Sequence, residues 1–427
     1  MSFPDVLLVR QHFPDLALRD IPGSVIAELK SSSFASKVPE GGSVAVGLGS
    51  RGIANIDVIA RAVVDFWKSV GRRPFIFPAM GSHGAATAEG QADVLAHYGI
   101  TAETMGCPVL SQLDVVSLGK SSEGIEAFMD RLAFESDGVM MVGRVKWHTD
   151  FTGNIESGLF KMMAIGLGKF AGAKAYHALA YRKLGLGAVI LSVGRQVLQS
   201  GKILGGLAVL EDANHATAKV VAVPAETMEH DEEELLRLVS SWKARVPLKE
   251  VDVLIVDEMG KNISGAGMDT KVINRSIWGE TNCFPDLPLV RRVFARSLTA
   301  MSYGNAVGIG LADVATDKLV QSIDWNITQI NSLTSNSITA IRTPIHFATD
   351  RECLEKLSLS VGIFDNRELT IARIRNTMSL GLLEISANLR AEVEANPQLE
   401  IVETRPCRFD EDGNLPDTFG IASGFAH

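Results

Sequence analysis

Cysteine is scarce in this chain: there are four in 427 residues, Cys107, Cys283, Cys353 and Cys407, and none belongs to a CxxC pair. That excludes a zinc knuckle and a disulfide framework, and reduced thiols suit a cytoplasmic protein. Nowhere is there a run of about 18 apolar residues, so no membrane span is expected. The opening MSFPDVLLVRQHFPDLALRD lacks a basic segment ahead of an apolar core and cleavage site, so no export signal is expected either. Positive charge is not in excess. A net charge of −9 and a pI near 5.6 argue against nucleic acid or an anionic membrane as partner, and leave a small molecule as the expected one.

The usual nucleotide motifs are incomplete as well. GLGSRG (47–52) has the glycine spacing of the dinucleotide fingerprint, but the next strand, RPFIFPAM, ends without the acidic residue that would hold a ribose, and GLGKFAG has a lysine without Walker A spacing or a following Ser/Thr. A classical NAD or ATP site is therefore disfavoured. No His-x-Glu or Glu-x-x-His cluster of metalloenzyme type occurs, so a bound metal would have few protein ligands.

What is present is an ordinary globular composition, 46% hydrophobic and 21% charged, in a chain longer than one core usually organises. Two α/β domains with largely parallel sheets are expected, 1–247 and 248–427, with the active site in the cleft between them. GSVAVGLG (42–49) reads as a strand, and 55–71 follows with helical apolar spacing. RPFIFPAM (73–80) then leads to GSHG and to a helix over 88–99 capped by Thr87, and DGVMMVGRV (137–145) leads to KWHTDFTGN. Alternation of this kind predicts a parallel sheet. After an acidic helix over 226–246, DVLIVDEM (252–259) begins a second unit, with further strands expected over 306–312 and 338–348 and helices around 350–358 and 367–395.

In open α/β sheets ligands bind beyond the carboxyl ends of the strands, and three such ends carry Arg51, His83 and His148. His83 and His148 are candidates for an acid/base pair, since imidazole both takes and gives a proton near neutrality. Either one alone is equally a structural loop residue. Arg51 offers a planar fork for a carboxylate or phosphate, and Lys261 in GKNISGAGMD is a similar anion-binding candidate if the domains close together.

IESGLFKMMAIGLGKFAGAKAYH (155–177) places Lys161 among Phe160, Met162 and Met163 and closes on His177. As one continuous helix it would hold these two residues about 24 Å apart at ~1.5 Å per residue. Gly166, Gly168 and Gly172 are places where the chain can break and bring them to one pocket. A buried helix whose lysine snorkels to water is the plainer alternative.

The order of these features resembles the lactate racemase family of nickel-dependent racemases and 2-epimerases of α-hydroxy acids. GSRGI, GSHG and WHTDFTGN follow successive strands, and a lysine is followed sixteen residues later (177 minus 161) by a histidine. The resemblance implies a nicotinate-derived nickel-pincer nucleotide covalently held by Lys161, with His177 as the protein ligand to nickel. Burial would favour the unprotonated amine that such a link requires. It further implies transient oxidation of the substrate, with hydride passing to the cofactor, His83 and His148 serving opposite enantiomers, and Arg51 and Lys261 fixing the carboxylate. Maturation enzymes would be partners, and protein made without them would lack the cofactor. The chain departs from the family around the first loop, in GSRGIAN, and in a longer span between His148 and Lys161, which leaves the hydroxy acid open. A metal-independent racemase or dehydratase, or a non-catalytic binder of a hydroxy acid, are the rival expectations.

Overall fold

The computed structural model describes residues 2–50, 52–149, 151–180 and 184–417, with only the backbone of His177; Arg51 therefore lies outside the described residues. The chain divides into two compact units, Pro14–Lys243 and Met1–Phe13 with Ala244–His427. The first strand, β1 (Val6–Gln11), belongs to the second of these, where the sequence alone suggested it would stay with residues up to 247. Its backbone pairs on both sides with strands from the far end of the chain.

In the unit Pro14–Lys243 the strands are β2 (Ser43–Leu48), β3 (Arg73–Pro78), the hairpin β4 (Val115–Lys120) and β5 (Glu126–Asp130), β6 (Gly138–Arg144), β7 (Ile203–Glu211) and β8 (Thr217–Pro224). Five of them form a sheet in the order β3-β2-β6-β7-β8, parallel except for the last pair. Alternating side chains feed two separate cores. Val44, Val46 and Leu48 pack with the helix Ile56–Ser69 on one face, while Ala45, Phe77 and Met141 pack with Leu159, Phe160 and Val193 on the other. Parallel strands buried on both faces read as the continuous apolar runs seen in the sequence.

The second unit is built on an eight-stranded sheet. Its further strands are β9 (Glu250–Met259), β10 (Leu289–Leu298), β11 (Val314–Thr316), β12 (Ile345–Phe347), β13 (Ile371–Asn376), β14 (Ser379–Ser386) and β15 (Leu399–Arg405). The order is β12-β11-β10-β9-β13-β14-β1-β15, with the first five parallel and the rest antiparallel. Here the sequence expectations needed three corrections. Residues 338–348, expected as one strand, form a 3-10 helix at Ile338–Ile341 and a strand only at Ile345–Phe347. Residues 306–312 form turns and a short 3-10 helix, because Gly308 takes φ 109° and passes so close to the Ala266 carbonyl that no side chain fits. Residues 367–395, expected as helix, form β13 and β14 and only a short helix at Arg390–Glu394; pairing with β9 and β1 outweighs the helical spacing of their apolar residues.

Among the described residues no helix is long and apolar enough to cross a membrane.

Candidate functional site

The register of the parallel sheet brings the loops of interest to one edge. Leu48, the last residue of β2, pairs with Pro78 at the end of β3 on one side and with Val142 near the end of β6 on the other. The loops holding His83 and His148 therefore flank the loop that follows Ser50. With strands about 4.8 Å apart, they start about 10 Å from one another.

Each loop is held by identifiable bonds. His83 Nδ1 is hydrogen-bonded to Ser50 Oγ, and Tyr98 donates its hydroxyl to the Ser50 carbonyl at 3.0 Å. Buried Glu211, at the end of β7, pairs with Arg144 and accepts the Ala54 N–H at 3.0 Å. The loop after β6 closes through two backbone bonds between Lys146 and Ser157, at 2.8 and 3.0 Å. Inside it the carboxylate of buried Glu156 accepts the backbone N–H of His148, and the His148 ring stacks on Phe151 with centroids 4.5 Å apart. Its Nε2 meets Lys161 Nζ at 2.6 Å, one nitrogen donating and the other accepting according to the imidazole tautomer. The sequence placed the two histidines as partners and Lys161 with His177; the structure joins Lys161 to His148. The His177 side chain lies outside the described residues, so its pairing with Lys161 does too.

The lysine segment is not a continuous helix. A single turn, Leu159–Lys161, runs into a π-helical stretch, Met162–Gly166, and a new helix starts at Lys169. Such widened turns recur at functional sites because they redirect side chains. The break falls at Lys169, which takes φ 51°, and not at a glycine. Glycines act instead by allowing contact: a Cβ on Gly166 would stand 2.6 Å from the Ala79 carbonyl, and one on Gly81 3.1 Å from that of Ile165.

Glu232 supports the start of this segment from beneath. Its side chain comes from the helix Met228–Trp242, and one carboxylate oxygen accepts the Phe160 N–H at 3.0 Å. Gly158 leaves room for the other, Oε1, which has no hydrogen-bond partner among the described residues. Complete burial pushes this carboxyl up to about 7, against the pull of the Phe160 and Leu159 backbone bonds. Glu232 carries no motif that marks it in the sequence, although its spacing with Leu235, Leu236 and Val239 puts a glutamate on the apolar stripe of an otherwise acidic helix.

Lys261 lies on the other unit, where its ammonium donates to the Gly265 carbonyl at 2.6 Å and closes its own loop. Among the described residues no cluster of three or more His, Cys, Asp or Glu side chains is placed to hold a metal ion. The four cysteines are free.

The molecule thus has two α/β units, each on a mostly parallel sheet, with chemically capable side chains gathered at one sheet edge. The same fold is found in the lactate racemase apoprotein from Thermoanaerobacterium thermosaccharolyticum, with a TM-score of 0.53 over 88% of this chain and 99% of that one, at 13% identity. A protein from Thermotoga maritima aligns over 84% of this chain and 96% of its own at 11% identity, with a TM-score of 0.48. No protein-family model matches the chain. No curated protein matches it in sequence.

Proposed function

We propose that this protein is an isomerase, a racemase or 2-epimerase of an α-hydroxy carboxylic acid. The observation that carries the reading is the contact of Lys161 Nζ with His148 Nε2, 2.6 Å long, at a sheet edge that also holds His83. The lactate racemase-like fold supports it.

The chain's residues fit a lysine-tethered nickel-pincer nucleotide at Lys161. That amine is half-buried, beside an imidazole, on a segment whose backbone contacts the ends of the strands through glycine. Lys161 would hold the group covalently and His177 would ligate nickel. When bound, the group would supply a reversible acceptor for the hydride on the substrate's α-carbon.

The chain's own part is proton transfer and orientation. Once the Lys161 amine is used in a covalent bond, His148 Nε2 is released from it and can take the substrate hydroxyl proton. His83, oriented at Nδ1 by Ser50, does the same from the other side of the central loop. The loops carrying His83 and His148 start about 10 Å apart, two strand spacings, and Arg51 is the candidate for the substrate's carboxylate. Lys261, on the other unit, is an anion-binding candidate in its own loop. Stacking on Phe151 and the Glu156 bond hold His148 still while it works.

The test is Lys161→Ala in protein produced with its maturation enzymes. Loss of the covalent adduct together with loss of racemisation supports the proposal. Racemisation that persists after complete removal of nickel overturns the cofactor, and leaves metal-free acid/base chemistry on the same residues. Unaltered affinity for a hydroxy acid without any turnover in the wild type would mark a binding protein.

A further inference from the structure

GLGKFAG, which resembles a phosphate loop without its spacing, places Lys169 eight residues after Lys161 (169 minus 161) and eight before His177 (177 minus 169). Its side chain is fully buried, so it is no anion receptor. The ammonium pairs with Asp130 Oδ2 at 3.0 Å, donates to the Pro78 carbonyl at 2.6 Å and to Gln91 Oε1 at 3.3 Å, and lies 5.8 Å from the Phe77 ring centroid. Gln91, also fully buried, donates in turn to the Gly81 carbonyl at 2.8 Å and to the His83 carbonyl at 3.3 Å.

Burying an ammonium is costly, and a well-packed apolar side chain at such a place is commonly neutral or stabilising. The left-handed backbone at Lys169 adds strain that a glycine there would avoid. Two unfavourable choices at one residue are poor devices for stability. They are explained by what the ammonium touches. It stands on the segment of Lys161 and bonds to the end of β3, while Gln91 extends the chain of bonds to the backbone of the His83 loop. That loop is itself irregular, with Ala85 and Ala86 at φ 54° and 56°. We propose that Lys169 and Gln91 form a positioning couple that sets the His83 loop in register with the segment carrying Lys161. The inference rests on the functional reading of His83 and Lys161 given above. Neither Lys169 nor Gln91 meets substrate.

Gln91→Leu tests it with the least disturbance, since Lys169 keeps Asp130 and the Pro78 carbonyl. The histidine ring signals of the full chain, labelled with carbon-13 and identified by His83→Gln, are followed through a pH titration. In a folded Gln91→Leu variant the His83 signal should shift and broaden while that of remote His346 stays as in wild type. The holoenzyme should lose about tenfold in kcat with KM little changed, the pattern of a displaced group and not of lost binding. If Gln91→Leu fails to fold, Lys169→Met combined with Asp130→Leu removes both buried charges and is read in the same way. A His83 titration and line shape identical to wild type in a folded variant overturns the proposal. A wild-type chain with no activity on any hydroxy acid overturns the functional reading and leaves the nuclear magnetic resonance comparison intact.

Discussion

Lys161 Nζ lies 2.6 Å from His148 Nε2, so the amine assigned as a tether and the imidazole assigned as a base each fill the other's hydrogen-bonding position. In the chain without cofactor this contact should shield His148. Replacing Lys161 by alanine is expected to speed modification of His148 by diethyl pyrocarbonate roughly three- to tenfold, the factor corresponding to the net worth of one hydrogen bond. Peptide mapping reads the rate. An unchanged rate would mean that the pair does not form in solution.

His83→Ala and His148→Ala should each lower kcat by about 10²–10⁴-fold on whichever hydroxy acid the wild type converts, the usual cost of losing a general acid or base. Circular dichroism of the substrate, followed from each enantiomer, measures this. Full activity in either variant would remove that histidine from the mechanism.

Glu232 makes stability depend on pH. Its carboxyl is raised by burial from an ordinary 4.5 to about 7. The folded chain therefore holds this proton after the unfolded chain has lost it. The stabilisation is complete below about pH 4.5 and is lost as pH rises to about 7, a fall on the order of 3 kcal/mol from this group at ~1.4 kcal/mol per unit. Glu232→Gln keeps an acceptor for the Phe160 N–H and has no charge to bury, so its denaturation curves should lose that slope. Identical slopes in variant and wild type would mean that the carboxyl is not desolvated.

Gly158→Ala should disturb the same corner by bulk alone. The added Cβ would fall 2.2 Å from Glu232 Oε1, and displacing a buried carboxylate should cost about 1–3 kcal/mol. Gly381→Ala is the control: its Cβ would meet nothing within 4 Å, and urea denaturation should move by less than about 0.5 kcal/mol. Equal effects would discount the steric account of Gly158.

Much of the first unit was legible because its signals are local. β2, β3 and β6, the helix Ile56–Ser69 and the cap of Thr87 on Gly90 all follow from periodicity and capping within a dozen residues. The second unit was harder for a physical reason. Residues 371–386 are strands because distant β9 and β1 accept their backbone bonds, and β10 is a strand through its pairing with β9 and β11, although its paired arginines, Arg291 and Arg292, break the apolar alternation. At the site, His83 and His148 could be placed at one sheet edge from the sequence, since strand ends carry them there. The joining of His148 to Lys161 could not, because it depends on a π-helical turn whose register no spacing reveals. Lys169 stood in plain view within GLGKFAG, but its partners Asp130, Pro78 and Gln91 come from three other parts of the chain.

The central claim is that Lys161 is a reagent that holds a nickel-bearing group. Intact-mass spectrometry with metal analysis on protein from its native host, followed by peptide mapping of residues 155–177, tests it most directly. The account predicts an adduct of several hundred daltons on Lys161, the order of a nucleotide-derived group, with about one nickel per chain, as a single histidine-ligated site requires. An unmodified Lys161 in active, nickel-free protein would contradict it.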